Sequence, residues 1–335
     1  MSIRTALFAA LLASLAAAPA RAEDPTSPQA GPALEDLVSA VVHLKTHINP
    51  DGRTVENLGR EREGSAIAID SDGLLLTIGY LMVEAHAAEV ATNSGRSVPA
   101  DVVGYDHESG FGLLRAIEPL KVRPMALGSA AELKSGDPVL VASHGGARMV
   151  APARVVAKRE FAGSWEYLLD EAIFTTPPHP AWSGAALIGR DGKLAGVGSL
   201  MVADAAGEGD GVPGNMFVPI DRLPPILGDL IAGGRVSGVQ HPWLGVTANE
   251  AHGHLFVSQV SPGGPAEQAG LQRGDIIVGV NGERANTLAD FYRKVWQHGN
   301  AGATIPIEVL QNDQVRRIDI RSMSRLDHLK LKSTF

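Results

Sequence analysis

The sequence predicts a mainly β protein built on a double β-barrel, and three observations carry that prediction. First, 44% hydrophobic residues with 38 Gly and 21 Pro describe a globular, loop-rich protein. Second, an Asp-Gly hairpin signature occurs twice. Residues 65–70 and 74–77 flank Ser71-Asp72-Gly73, and residues 186–197 fold back about Arg190-Asp191-Gly192-Lys193. Third, these hairpins lie in two β-rich halves, which favours two barrels over an alternating βαβ sheet. A length of 335 residues is enough for more than one domain with its own core.

In sequence order, residues 1–22 read as a cleavable secretory leader. Arg4 precedes an Ala/Leu run over residues 6–18, and Ala20-Arg21-Ala22 is an A-x-A cleavage site. The run is too short to span a bilayer, and no other segment is long and apolar enough. Residues 23–33 are a Pro-rich tether. The protein has 29 Lys+Arg against 37 Asp+Glu, a formal charge of −8, and losing Arg4 and Arg21 with the leader takes it to −10. That balance, without a basic patch, excludes nucleic acid and anionic membrane as expected partners. There is no cysteine, so disulfides and a lipidated N-terminal Cys are excluded. A periplasmic or secreted protein is expected.

Beyond the tether, residues 38–45 read as a strand and 49–63 as an exposed loop. The first hairpin follows, and the second comes after residue 185. Residues 203–214 form a Gly-rich loop, and a helix is expected over 223–232, stopped by Gly233-Gly234. A short linker over 233–240 leads to a change of pattern at Pro242. His252-Gly253-His254 would place two imidazoles on one strand face, but two ligands without a third predict no metal, and no cofactor is expected.

Several of these segments, in order and spacing, resemble the HtrA/Deg family of trypsin-like proteases. Gly64-Ser65-Ala66-Ile67-Ala68-Ile69-Asp70 with Asp72-Gly73-Leu74-Leu75-Leu76-Thr77 is similar to that family's first barrel. Val102-Val103-Gly104-Tyr105-Asp106 and Gly112-Leu113-Leu114-Arg115 resemble the segment around its catalytic aspartate. Leu127-Gly128-Ser129 and Gly136-Asp137-Pro138-Val139 resemble the start of its second barrel. The resemblance covers roughly residues 34–335 and implies that Ser183, in Ala181-Trp182-Ser183-Gly184-Ala185, holds the nucleophile position. It places Tyr80 where the family has its catalytic His and Gly110 where it has the Asp. Ala181 and Ser183 take the oxyanion-hole positions, Ala181 in place of a glycine.

A tyrosine with an ordinary pKa of about 10 is a donor at neutral pH, not a base. Losing the base costs on the order of a million-fold in kcat in serine proteases where it has been measured. His86, His107, His144 and His179 are the candidate substitutes, with His179 nearest in sequence to Ser183. From Pro242 onward the sequence resembles an HtrA-type PDZ domain. Trp243-Leu244-Gly245-Val246, Ser261-Pro262-Gly263-Gly264-Pro265-Ala266, Gly274-Asp275-Ile276-Ile277 and Val280-Asn281-Gly282 carry that likeness. It implies a peptide groove beside a helix over 288–297, with Trp243, Leu244, Gly245 and Val246 receiving a terminal carboxylate.

The expected organisation is a leader (1–22), a tether (23–33), a trypsin-like domain (34–234), a PDZ domain (235–328) and a basic tail (329–335). Three functional readings stand. One is a pseudoprotease that binds peptides or unfolded C-termini in a chaperone-like or regulatory role. Another is an active serine endopeptidase of protein quality control with a rewired base. The third is a structural subunit co-assembling with an active HtrA-type protease. Homo-oligomers and hetero-oligomers are both compatible, although residues 23–40 lack the aromatic contacts typical of family trimers.

Overall fold

The first barrel opens one turn later than the hydrophobic pattern implies. A computed structural model describes residues 34–331 apart from Glu208 and Asp210, so the leader, the tether and Phe335 lie outside the described residues. Leu34–Val38 form a helical turn, α1, with Glu35 and Asp36 in its first turn, where the helix dipole favours anions. Strand β1 therefore runs Val41–Ile48 instead of 38–45. The expected loop 49–63 contains a short helix, α2 (Val55–Leu58), and ends where β2 (Glu61–Ala68) begins.

Strands β3 (Leu74–Ile78), β4 (Ala85–Ala91), β5 (Ser97–Tyr105) and β6 (Phe111–Ala116) complete a closed barrel in the order β1-β2-β3-β6-β5-β4. The predicted turn forms: Asp70 Oδ1 accepts the N–H groups of Asp72 and Leu74, and Gly73 sits at φ 82°. Val42, Leu44, Leu75 and Leu113 are fully buried inside.

The second barrel has the order β10-β11-β12-β9-β8-β7. Its strands are β7 (Pro138–Ala142), β8 (Val150–Gly163), β9 (Tyr167–Thr176), β10 (Ala186–Ile188), β11 (Leu194–Val202) and β12 (Gly214–Pro219). Strands β8 and β9, of 14 and 10 residues, extend as a long hairpin whose last paired residues are Gly163 and Tyr167. The predicted helix is present as α3 (Pro224–Gly233), closed by Gly234 in the left-handed region.

The third sheet has the order β13-β14-β15-β17-β18, with β16 (Glu283–Arg284) paired to β15. Its other strands are β13 (Val246–Ala251), β14 (His254–Val260), β15 (Ile276–Val280), β17 (Thr304–Gln311) and β18 (Gln314–Arg321). Two helices cover it, α4 (Pro265–Gln268) and α5 (Leu288–Gln297), and α5 has the predicted bounds. Leu288, Phe291, Tyr292 and Val295 bury one stripe of α5 at helical spacing, and Thr287 Oγ1 caps it by accepting the Asp290 N–H.

The described part of the tail packs on the first barrel. Helix α6 (Arg325–His328) and residues 329–331 return to the first barrel, where Glu84 accepts the Lys330 N–H at 2.7 Å and Lys330 Nζ pairs with Asp51. No described helix is long and apolar enough to cross a membrane.

Candidate active site and peptide groove

Ser183 stands in the turn between β9 and β10, pinned across the barrels. Its carbonyl accepts the Ser65 N–H at 2.8 Å, and Thr77 Oγ1 donates to the Ser65 carbonyl. Gly184 at φ 73° packs so closely that a Cβ there would run into the Ser65 carbonyl oxygen. The loop therefore needs a glycine after the serine for both conformation and space.

Tyr80, in the short helical turn after β3, reaches this loop. Its hydroxyl lies 2.8 Å from Ser183 Oγ and 2.9 Å from the Ser199 carbonyl. Burial pushes the phenol up to about 12, so it is protonated at neutral pH. Gly110 contributes no carboxylate. Its carbonyl accepts the Gly79 N–H, its φ is 78°, and a Cβ would stand 2.9 Å from the Tyr167 hydroxyl. The Tyr105 ring fills the space beside Gly79.

Three of the candidate histidines bond elsewhere. His144 Nδ1 is 3.0 Å from the hydroxyl of Ser65, not of Ser183. His179 Nε2 meets the Met149 carbonyl, and its Nδ1 accepts the Ala181 N–H at 3.1 Å. His107 Nε2 faces the Glu166 carbonyl and its Nδ1 the Tyr105 hydroxyl, both at 2.9 Å. Arg325 Nη1 also stands 2.9 Å from Nε2 and donates to the Trp165 carbonyl. His86 lies on β4, with its ring near His47. The Ala181 N–H, an oxyanion-hole position by sequence, is thus turned to His179. A cavity of about 750 Å3 opens beside Ser183, lined in part by Trp165, Trp182, Trp243 and His328.

The groove between β13 and α5 holds a second arrangement, which the sequence did not reveal. The N–H groups of Leu244, Gly245 and Val246 converge as expected, but they donate to the Glu166 carboxyl at 2.9, 2.7 and 2.8 Å. Trp243 is not part of this nest, because its N–H goes to the Met323 carbonyl. Ala248 on β13 donates to the Ser164 carbonyl at 3.0 Å, and Tyr292 on α5 donates to the Gly163 carbonyl at 2.7 Å. Leu168 joins the buried cluster of the third sheet with Leu244, Val246 and Tyr292. Burial pushes the Glu166 carboxyl above its ordinary range, against the pull of the three N–H donors and Arg325. The three N–H groups expected to receive a terminal carboxylate are here occupied by the tip of the β8–β9 hairpin. Nothing in Gly163-Ser164-Trp165-Glu166 signals this, since the donors lie almost eighty positions downstream.

Residues 64–197 match the trypsin-like peptidase domain family, and residues 242–321 match the PDZ domain family. HhoA of Synechocystis sp. is 29% identical over 307 residues, covering 78% of this chain and 72% of HhoA. The chain belongs to the HtrA/Deg family. The serine protease PepD of Mycobacterium tuberculosis is 28% identical over 81% of this HtrA-type protein and 61% of its own length. The periplasmic pH-dependent serine endoprotease DegQ of Escherichia coli is 25% identical over 77% of the protein and 58% of its own length. The protein thus spans less than two thirds of PepD and DegQ. The solved structure of the HtrA-type protease AlgW with a decapeptide shares the fold, with a TM-score of 0.51, 23% identity, and coverage of 88% of this protein and 99% of that one. The third sheet is accordingly the PDZ domain. His252 and His254 flank the β13–β14 turn, and among the described residues no group of three His, Cys, Asp or Glu gathers that could hold a metal.

Proposed function

We propose that this HtrA-type protein is a periplasmic pseudoprotease that handles polypeptides without cleaving them, through its PDZ domain. The observation that carries the reading is the Tyr80 hydroxyl on Ser183 Oγ. Its single proton is shared between Ser183 and the Ser199 carbonyl, and a phenol pushed up to about 12 does not take a proton from a serine. Two further features support it. The Ala181 N–H bonds His179 instead of standing free for a developing oxyanion, and the Gly110 position is packed against Tyr167 with no carboxylate to orient a base. Export is supported by the leader pattern of residues 1–22 and by the periplasmic relative DegQ. The ligands are peptides or unfolded polypeptide ends, and neither cofactor nor metal is called for. Assembly with copies of itself or with an active HtrA-type protease is compatible with this role. The test is incubation of the mature protein with casein and a fluorophosphonate probe beside Ser183→Ala. The expected outcome is no cleavage and no label above that control. Labelling that vanishes in Ser183→Ala would sink the pseudoprotease reading.

A further inference from the structure

We propose that the Ser164-Trp165-Glu166 turn of the barrel is an internal ligand that closes the PDZ groove, so that a free polypeptide C-terminus enters only by displacing it. The proposal rests on the peptide-binding reading of the PDZ domain and adds how that site is controlled. Three independent features of the turn meet three requirements of a C-terminal ligand. A terminal carboxylate needs converging N–H donors, and Glu166 takes all three, from Leu244, Gly245 and Val246. A ligand backbone needs to extend the sheet, and the Ser164 carbonyl, two residues before Glu166, accepts the Ala248 N–H of edge strand β13. A ligand also needs an apolar side group buried in the domain, and Leu168, two residues past Glu166 in β9 and only 8% exposed, joins the PDZ core.

The backbone gives a further indication. Glu166 holds φ 56° at the end of a three-residue hairpin loop, where glycine is the residue without strain. Such outliers persist where surrounding contacts over-determine them, and the contacts of Glu166 are those of a docked carboxylate. Tyr292 locks the tip from the helix side, donating to the Gly163 carbonyl and accepting the Glu166 N–H at 3.2 Å. An incoming C-terminus competes for the same three amides. Its apparent affinity is lowered by the fraction of molecules in which the hairpin has withdrawn.

The variant Glu166→Gly tests this, since it removes the carboxylate while relieving the left-handed strain, so the hairpin keeps its fold. A fluorescein-labelled peptide with a free apolar C-terminus, and its C-terminal amide, are titrated by anisotropy into the full mature wild type and the variant. Hydrogen exchange at the amides of residues 244–246 is followed in parallel. The expected result is slow exchange and weak binding in the wild type. In Glu166→Gly, exchange is faster and the free-acid peptide binds at least about tenfold more tightly, a gain the amide does not share. If the wild type binds as tightly as the variant, the closure is wrong while peptide binding stands. Unchanged exchange in the variant also overturns the closure. If the groove opens by exchange and neither peptide binds, the proposal fails together with the peptide-binding reading.

Discussion

Replacing the Tyr80 hydroxyl with hydrogen probes what holds the Ser183 loop. The Ser199 carbonyl is on a residue 5% exposed, and Tyr80→Phe leaves it without that donor. A loss of about 1–3 kcal/mol in urea unfolding is expected, with no gain in casein cleavage. The obvious repair, Tyr80→His with Gly110→Asp, meets an obstacle that the alignment of motifs conceals. An aspartate at 110 would hold φ 78° and press its Cβ against the Tyr167 hydroxyl. It is expected to cost at least about 1–2 kcal/mol from the left-handed backbone alone and to lower the melting temperature without restoring activity. Calorimetry beside a casein assay checks both halves; recovered cleavage would contradict the obstacle at Gly110 while supporting Tyr80 and Gly110 as the His and Asp positions.

At the scale of elements, the β8–β9 hairpin and helix α5 form the working pair. Helix α5 buries Phe291, Tyr292 and Val295 and presents its tyrosine hydroxyl to the hairpin tip. Arg293 at its exposed side bonds Glu160 of β8 and Asp170 of β9, but exposed pairs of this kind contribute little. The buried tyrosine contact carries the docking. Tyr292→Phe removes a donor to the Gly163 carbonyl and the acceptor of the Glu166 N–H, and a cost of about 1–3 kcal/mol is expected. Hydrogen exchange reads this locally. The amides of residues 244–246 should exchange faster in Tyr292→Phe while those inside the first barrel keep their rates, and uniform acceleration would assign the effect to global stability instead.

Across the whole molecule, the contacts that join barrel and PDZ domain include the Glu166 nest, the His107–Arg325 contact and the tail on Glu84. Burial first, and the Arg325 charge second, hold His107 well below its ordinary value, with Tyr105, Tyr167 and Glu166 around it. As pH falls below about 6.5 the unfolded protein takes up a proton at this residue while the folded one does not. The unfolded state therefore binds more protons there, so stability rises with pH in that window and is lost on acidification. Glu166, raised in the folded state, has the opposite sign, and it is common to wild type and His107→Gln. The stability of the wild type relative to His107→Gln should accordingly shrink as pH falls through about 6.5, measured by thermal melts across that range. A constant difference would mean that His107 does not titrate between the two states.

The sequence alone determined the architecture, because hydrophobic alternation and Asp-Gly turns are local signals. Strands β2, β3, β10 and β11 pair about turns whose chemistry lies within four residues, and α5 stands where the resemblance to a PDZ domain implied a helix. It also placed Tyr80 and Ser183 at related positions by motif order. Only the tertiary structure decided what those positions do. The shared hydroxyl contact depends on two barrels meeting, and the Ala181 N–H turns away because His179 folds back to receive it. The closed groove depends most of all on sequence separation. Glu166 reads as an ordinary surface residue of a hairpin loop until docking brings it to amides from another domain. No local pattern encodes a partner almost eighty residues away, because that contact exists only when both cores have already formed.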